Sequence, residues 1–142
     1  MSTTLHKLVC LAGTAAASLT TGTAQAAPLP EPSGCTDFRT AAERVVSGRT
    51  VQVRYGMCNG ARHAWGRILG YTPGDYIRFE VDTNGDRIPD GVSWYLATNR
   101  NYTQPTPTGP SRAFRSCWVR GGATCNHSNS TPWVTDMLQM QQ

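Results

Sequence analysis

Apolar and polar positions along this chain change period several times, and the changes outline its elements. After Cys35, residues Phe38, Ala41, Ala42, Val45 and Val46 recur at i, i+3, i+4, i+7 and i+8, with Arg39, Glu43 and Arg44 between them. That spacing predicts an amphipathic helix. Thr36 is its candidate N-cap, Asp37 sits at the positive end, and Gly48 closes it. From Val51 the period becomes two. Val51, Val53 and Tyr55 alternate with Gln52 and Arg54, which predicts a half-buried strand before the Asn59-Gly60 turn. Residues 61–69 fit a strand face (His63, Trp65, Leu69) and a helix face (Ala61, Ala64, Trp65, Ile68, Leu69) equally well.

Thr72-Pro73-Gly74-Asp75 predicts a turn, because proline fixes φ and glycine accepts a positive one. Ile77, Phe79 and Val81 then alternate with Arg78 and Glu80. Val92, Trp94 and Leu96 alternate with Ser93, Tyr95 and Ala97, and predict a hairpin partner. Gln104–Pro110 is proline-rich and reads as a loop; Phe114, Cys117 and Trp118 mark another strand. The expected fold class is therefore α+β: one N-terminal amphipathic helix, then a mainly antiparallel sheet of four to five strands.

The N-terminal segment changes the picture. Lys7, an uncharged apolar stretch from Leu8 to about Leu19, and Ala24-Gln25-Ala26 together read as a signal peptide cleaved after Ala26. Cys10 leaves with it, and no later apolar run is long enough for a membrane helix. Residues 27–34, with Pro28, Pro30 and Pro32, read as a mobile leader, and 35–142 as one domain. The mature chain has 12 arginines, no lysine and 9 acids, so its formal charge is +3. Two readings of the arginines stand side by side: genomic codon bias, or a surface for anionic polymers. The charge is too small to argue for nucleic acid.

Cys35, Cys58, Cys117 and Cys125 remain after cleavage. An even count in an exported chain of this size reads as two disulfides, with three connectivities open. Cys35–Cys58 and Cys117–Cys125 are favoured because each pair brackets one local unit. A zinc site would call for tight Cys-x-x-Cys spacing, which is missing.

The run Val51-Gln52-Val53-Arg54-Tyr55, then Cys58, Ala64-Trp65-Gly66-Arg67-Ile68 and Pro73-Gly74-Asp75, resembles a family of small secreted proteins of actinomycete-type bacteria, a domain of unknown function. The likeness covers about residues 35–81. It implies export and a disulfide-stapled fold, and it carries over no catalytic residue.

Candidate chemistry concentrates in residues 82–90. Asp82, Asn84, Asp86, the carbonyl of Ile88 and Asp90 place oxygens at alternate positions of a tight loop, as calcium requires. The stretch resembles the calcium loops of thrombospondin-type-3 repeats and dockerins, although Ser93 stands where an EF-hand has a glutamate. The competing reading is a plain hairpin loop turning at Asn84-Gly85.

His63 and His127 are the histidines of the mature chain and, with arginines, would suit acid–base cleavage of a phosphodiester. Tyr76 and Tyr95 lie opposite the apolar strand positions and are expected to be exposed binding residues, whereas Trp94 and Trp118 are expected to fill the core. These features point first to a secreted binding module, calcium-stabilised if the 82–90 loop is a site. Its partner would be an extracellular protein or a cell-wall polymer. The alternatives are a small nuclease-like hydrolase using His63 and His127, or an inhibitor presenting Gln104–Pro110.

Overall fold

The computed structural model describes residues 31–135, so the signal-peptide reading lies outside the described residues. Eight strands follow one another, β1 (Cys35–Val46), β2 (Arg49–Cys58), β3 (Ala61–Leu69), β4 (Tyr76–Asp82), β5 (Gly91–Leu96), β6 (Thr106–Pro107), β7 (Ala113–Val119) and β8 (Val134–Thr135). They form two four-stranded antiparallel sheets, ordered β1-β2-β3-β6 and β5-β4-β7-β8. β2 and β3 lie against β7 and β4, which makes a sandwich with β5 and β6 along one open side and β1 and β8 along the other.

The described fold is all-β, which corrects the α+β expectation. No helix forms among the described residues, and the segment read as an amphipathic helix is β1. Two bulges explain the misreading. The β1–β2 register shifts between Thr36 and Arg39 and again between Thr40 and Ala42. Each extra residue reverses which face the next side chain takes. A period of two, broken twice, then shows apolar residues three and four apart. Asp37, read as a helix-start acid, instead takes a positive φ of 55° at the first bulge. β1 is an edge strand with Val45 well exposed, while Ala41, Ala42 and Val46 pack onto the core. Burial plus a full ladder to β2 outweighs the helix preference of its alanines.

β2 forms as expected, with Val51, Val53 and Tyr55 buried. The ambiguous 61–69 segment is a strand buried on both faces, which is why neither period dominated. Its inner side chains, Ala64 and Ile68, face the second sheet, and Phe79 and Phe114 stack there at 5.5 Å between ring centroids. Trp65 is fully buried at the other face, beneath the Cys35–Cys58 bridge and the edge of Phe38. Gly66 lets the sheets approach, since a Cβ there would lie 2.9 Å from Ser116 Oγ and 3.3 Å from Phe79 Cβ.

Both favoured disulfides are present, Cys35–Cys58 and Cys117–Cys125. The first joins the ends of β1 and β2, and the second pins the 120–130 loop onto the outer side of β7. Such bridges fit an oxidising environment. Among the described residues no helix is long and apolar enough to cross a membrane. Within the segment read as leader, Glu31 is ion-paired with Arg54 and Arg67.

Buried Asp75 ties the crossover between the sheets. Its carboxylate accepts from Arg49 Nε (2.8 Å), Arg120 Nε (2.9 Å), Trp118 Nε1 (2.8 Å) and the Thr72 amide (2.7 Å). Burial by itself would raise its pKa. The bonds from Arg49, Thr72, Trp118 and Arg120 outweigh that and hold the carboxyl well below its ordinary value.

Candidate functional site

The hairpin of β4 and β5 forms as expected, but the faces of β5 are the reverse of the expectation. Tyr95 pairs with Ile77 and Ser93 with Phe79, so Ser93 and Tyr95 share the inner face of β4. Val92, Trp94 and Leu96 therefore point outward and are 48%, 59% and 39% exposed. Trp94, expected in the core, lies open on the outer face. Tyr95, expected to be an exposed binding residue, packs toward the Ile77–Ala97 cluster with the Arg100 guanidinium 4.3 Å over its ring. Tyr76 does lie on the outer face, its ring centroid 6.5 Å from that of Trp94. Trp118 is partly buried, as a core residue with its indole N–H committed to Asp75.

The backbone of β5 is open along the same three residues. Ala97 N donates to Asp75 O at 2.9 Å. Antiparallel ladders alternate, so the amides and carbonyls of Tyr95 and Ser93 point at β4, and those of Val92, Trp94 and Leu96 point away from it. β5 ends its sheet, so no further strand among the described residues receives them. Gly91–Leu96 holds no charge and no proline, the usual devices that blunt an edge.

A cavity of about 270 Å³ opens beside this edge, between the two sheets. Val81, Asp90, Ser93, Thr106 and Arg112 are among its walls. Ser93 Oγ is buried there without a hydrogen-bond partner among the described residues.

The 82–90 loop precedes β5. Carboxylate oxygens of Asp82, Asp86 and Asp90 converge within 4.8 Å of one another. The loop also satisfies itself. Asp82 is buried; its Oδ1 accepts from Asn84 N and Gly85 N, and its Oδ2 from Arg87 N and Arg87 Nη1 (2.8 Å). Asp90 takes the Thr83 amide and hydroxyl, Asn84 the Asp86 amide, and Asp86 the amide of Ile88, whose side chain is exposed. Burial would raise the Asp82 pKa, but the amide and guanidinium of Arg87, with the Asn84 and Gly85 amides, lower it to about 2. The positive charge nearest that carboxylate is thus Arg87. The turn reading accounts for every bond in the loop.

The histidines are placed apart. His63 lies on β3 between Gly56 and Pro107, its Nδ1 2.9 Å from the Ala61 carbonyl. His127 lies in the 120–130 loop and borders a cavity that does not include His63. None of the cavities described, all among the described residues, is lined by both histidines.

The Gln104–Pro110 segment is stitched down. Thr106 and Pro107 pair with β3, Thr108 N donates to the Arg62 carbonyl at 3.1 Å, and Arg112 holds the Pro107 carbonyl. It is a sheet edge and not a projecting inhibitory loop.

The sequence reading missed the β5 edge because nothing local to residues 91–96 signals it. Both of its faces are uncharged, and only the register with β4, set across the 82–90 loop, decides which points inward. Comparison with known proteins finds no matching family model, no matching curated protein and no matching solved structure.

Proposed function

We propose that this chain is an extracellular interaction module that captures an extended segment of a protein partner as an added strand beside β5. One observation carries the reading. Val92, Trp94 and Leu96 present backbone groups that pair with no strand among the described residues, and apolar side chains on the outer face of the sheet. In strand addition the main chain supplies affinity, and pockets for alternate side chains supply specificity. Here the outward side chains of the added segment would pack on Val92, Trp94 and Leu96. The inward ones would reach the cavity at Ser93 and Arg112. Export rests on the Lys7-to-Ala26 signal and on the resemblance to a secreted family.

The test uses peptides selected from a displayed random library against residues 27–142, followed by amide hydrogen exchange. A selected peptide is expected to slow exchange at Val92, Trp94 and Leu96. Trp94→Pro removes an amide that no neighbouring strand uses, so it should abolish binding while the fold persists. Peptides that protect other amides, or bind Trp94→Pro unchanged, would refute the reading. So would concentration-dependent protection of the same three amides without peptide, because the edge would then belong to a second copy of the chain.

A further inference from the structure

On the opposite side of the sandwich, where β1 and β8 form the seam, a second cavity of about 500 Å³ lies between Arg44, Arg115, His127 and Trp133, with Ser130, Thr131 and Pro132 completing the wall. That is the size of a small-molecule site. We propose that it binds a phosphate ester, with the phosphoryl oxygens on Arg44 and Arg115 and the organic part against Trp133. This inference is independent of the strand-addition reading and uses none of its residues.

The lining holds two guanidiniums and an imidazole and no carboxylate. Arg44 reaches from the first sheet to the second, where its Nη1 donates to the carbonyls of His127 and Ser130 (3.1 Å for Ser130). That pins the guanidinium at the cavity wall and leaves Nε and Nη2 without hydrogen-bond acceptors among the described residues. Among the described residues no carboxylate pairs with Arg44.

Arg115 is fixed from behind. Its Nε donates to Glu80 Oε1 at 2.6 Å and its Nη2 to the Cys125 carbonyl at 3.4 Å, and its guanidinium lies 4.6 Å over the Trp133 ring. Glu80 is shared with Arg78, so the group behind Arg115 is one carboxylate between two cations. Arg115 Nη1 has no acceptor among the described residues. The open fork of Arg44 (Nε and Nη2), with Nη1 of Arg115 beside it, is held in place before binding and suits a tetrahedral oxyanion, because arginine bonds phosphate through a planar pair of donors. A phosphate monoester carries about −1.5 to −2 charges at neutral pH, which two guanidiniums match. Trp133, over whose ring Arg115 and Arg87 lie at 4.6 and 5.8 Å, gives the cavity an aromatic wall for whatever the phosphate is attached to.

Phosphomonoesters and phosphodiester polymers share this chemistry, and the probes separate them. Phenyl phosphate, methyl phenyl phosphate and inorganic phosphate are titrated into residues 27–142 at fixed ionic strength, while the arginine Nε–Hε and tryptophan indole resonances are followed. Phenyl phosphate is expected to shift Arg44, Arg115 and Trp133 saturably. Tighter binding of the monoester identifies a free phosphate ester as ligand, and tighter binding of the diester a phosphodiester polymer.

Arg44→Gln should weaken binding at least tenfold. Arg39→Gln makes the same charge change on an exposed position of β1 and should leave it within twofold. Trp133→Leu should erase the preference for phenyl phosphate over inorganic phosphate, and it keeps the proposal testable if Arg44→Gln unfolds the loop. Non-saturating shifts spread over the exposed arginines would overturn the site. Equal losses in Arg44→Gln and Arg39→Gln, or an unchanged preference in Trp133→Leu, would do the same.

Discussion

Replacing Asp75 by alanine tests whether one carboxylate holds the two sheets together. The side chain is fully buried and is the shared acceptor of Arg49, Arg120, Trp118 and the Thr72 amide. The donors do not lose equally. Arg120 is 53% exposed and returns to water, so its share is at most about 1 kcal/mol. Arg49 is 14% exposed and keeps the Ser47 carbonyl and the Thr72 hydroxyl. The Trp118 indole and the Thr72 amide are left without an acceptor, at about 1–3 kcal/mol each. Together these span about 2–7 kcal/mol, bracketing the loss of about 3–5 kcal/mol found when a buried pair loses one partner, which is the loss expected here. In a domain of this size that lowers Tm by about 12–25 °C.

Acid gives an independent reading of the same group. The folded carboxyl titrates below its unfolded value of 3.8. The stability it contributes is therefore complete above about pH 5, and it is lost as pH falls through about 4 toward the folded value. Asp82 acts in the same direction and window. Asp75→Asn should remove part, not all, of the fall in urea midpoint between pH 5 and pH 3. If Asp75→Ala costs no more than Arg120→Ala, or if Asp75→Asn keeps the full acid slope, the hub account is wrong.

Three further outcomes are expected. Gly66→Ala forces a methyl against Ser116 Oγ, whose hydroxyl is bonded to the Gln52 carbonyl at 2.7 Å, and against Ile77 and Phe79. It should lower stability by about 1–3 kcal/mol in chemical denaturation. Removing each disulfide with paired alanines should cost about 3.4 kcal/mol for Cys35–Cys58 and about 2.5 kcal/mol for Cys117–Cys125, on loop-closure entropy for separations of 23 and 8 residues; the reverse order would point to native-state effects. Millimolar calcium and chelator should give the native protein the same Tm, because Arg87 already sits on Asp82 Oδ2. A calcium-dependent rise is expected in Arg87→Ala, and a rise in the native protein would return the 82–90 loop to the metal reading.

The strands with one apolar face and no irregularity were legible from sequence. Val51 to Tyr55 and Ile77 to Val81 alternate because one side of each meets the opposing sheet. The favoured disulfides were legible for a related reason, since each joins chain that local pairing already brings close. β1 was not legible, because its two bulges are set by the ladder to β2 and no single segment records them. A heptad-like spacing of Phe38, Ala41, Ala42, Val45 and Val46 is what a twice-bulged strand leaves on paper.

β5 failed in a different way, and the difference bears on function. Its alternation was read correctly, and the assumption that the more apolar side faces inward was not. A strand obeys that assumption when burial within its own domain is the main demand on both of its faces. In β5 the inner face holds Ser93 and Tyr95, with Ala97 just beyond the strand, and the larger apolar residues Val92, Trp94 and Leu96 are placed in water at the sheet edge. Exposing that area opposes solubility, and an edge without charge or proline invites pairing. No bond inside the described domain offsets either cost. An element arranged against the stability of the isolated chain fits a surface completed by something else, and this is the physical ground on which strand addition at β5 is preferred to a closed, ligand-free fold.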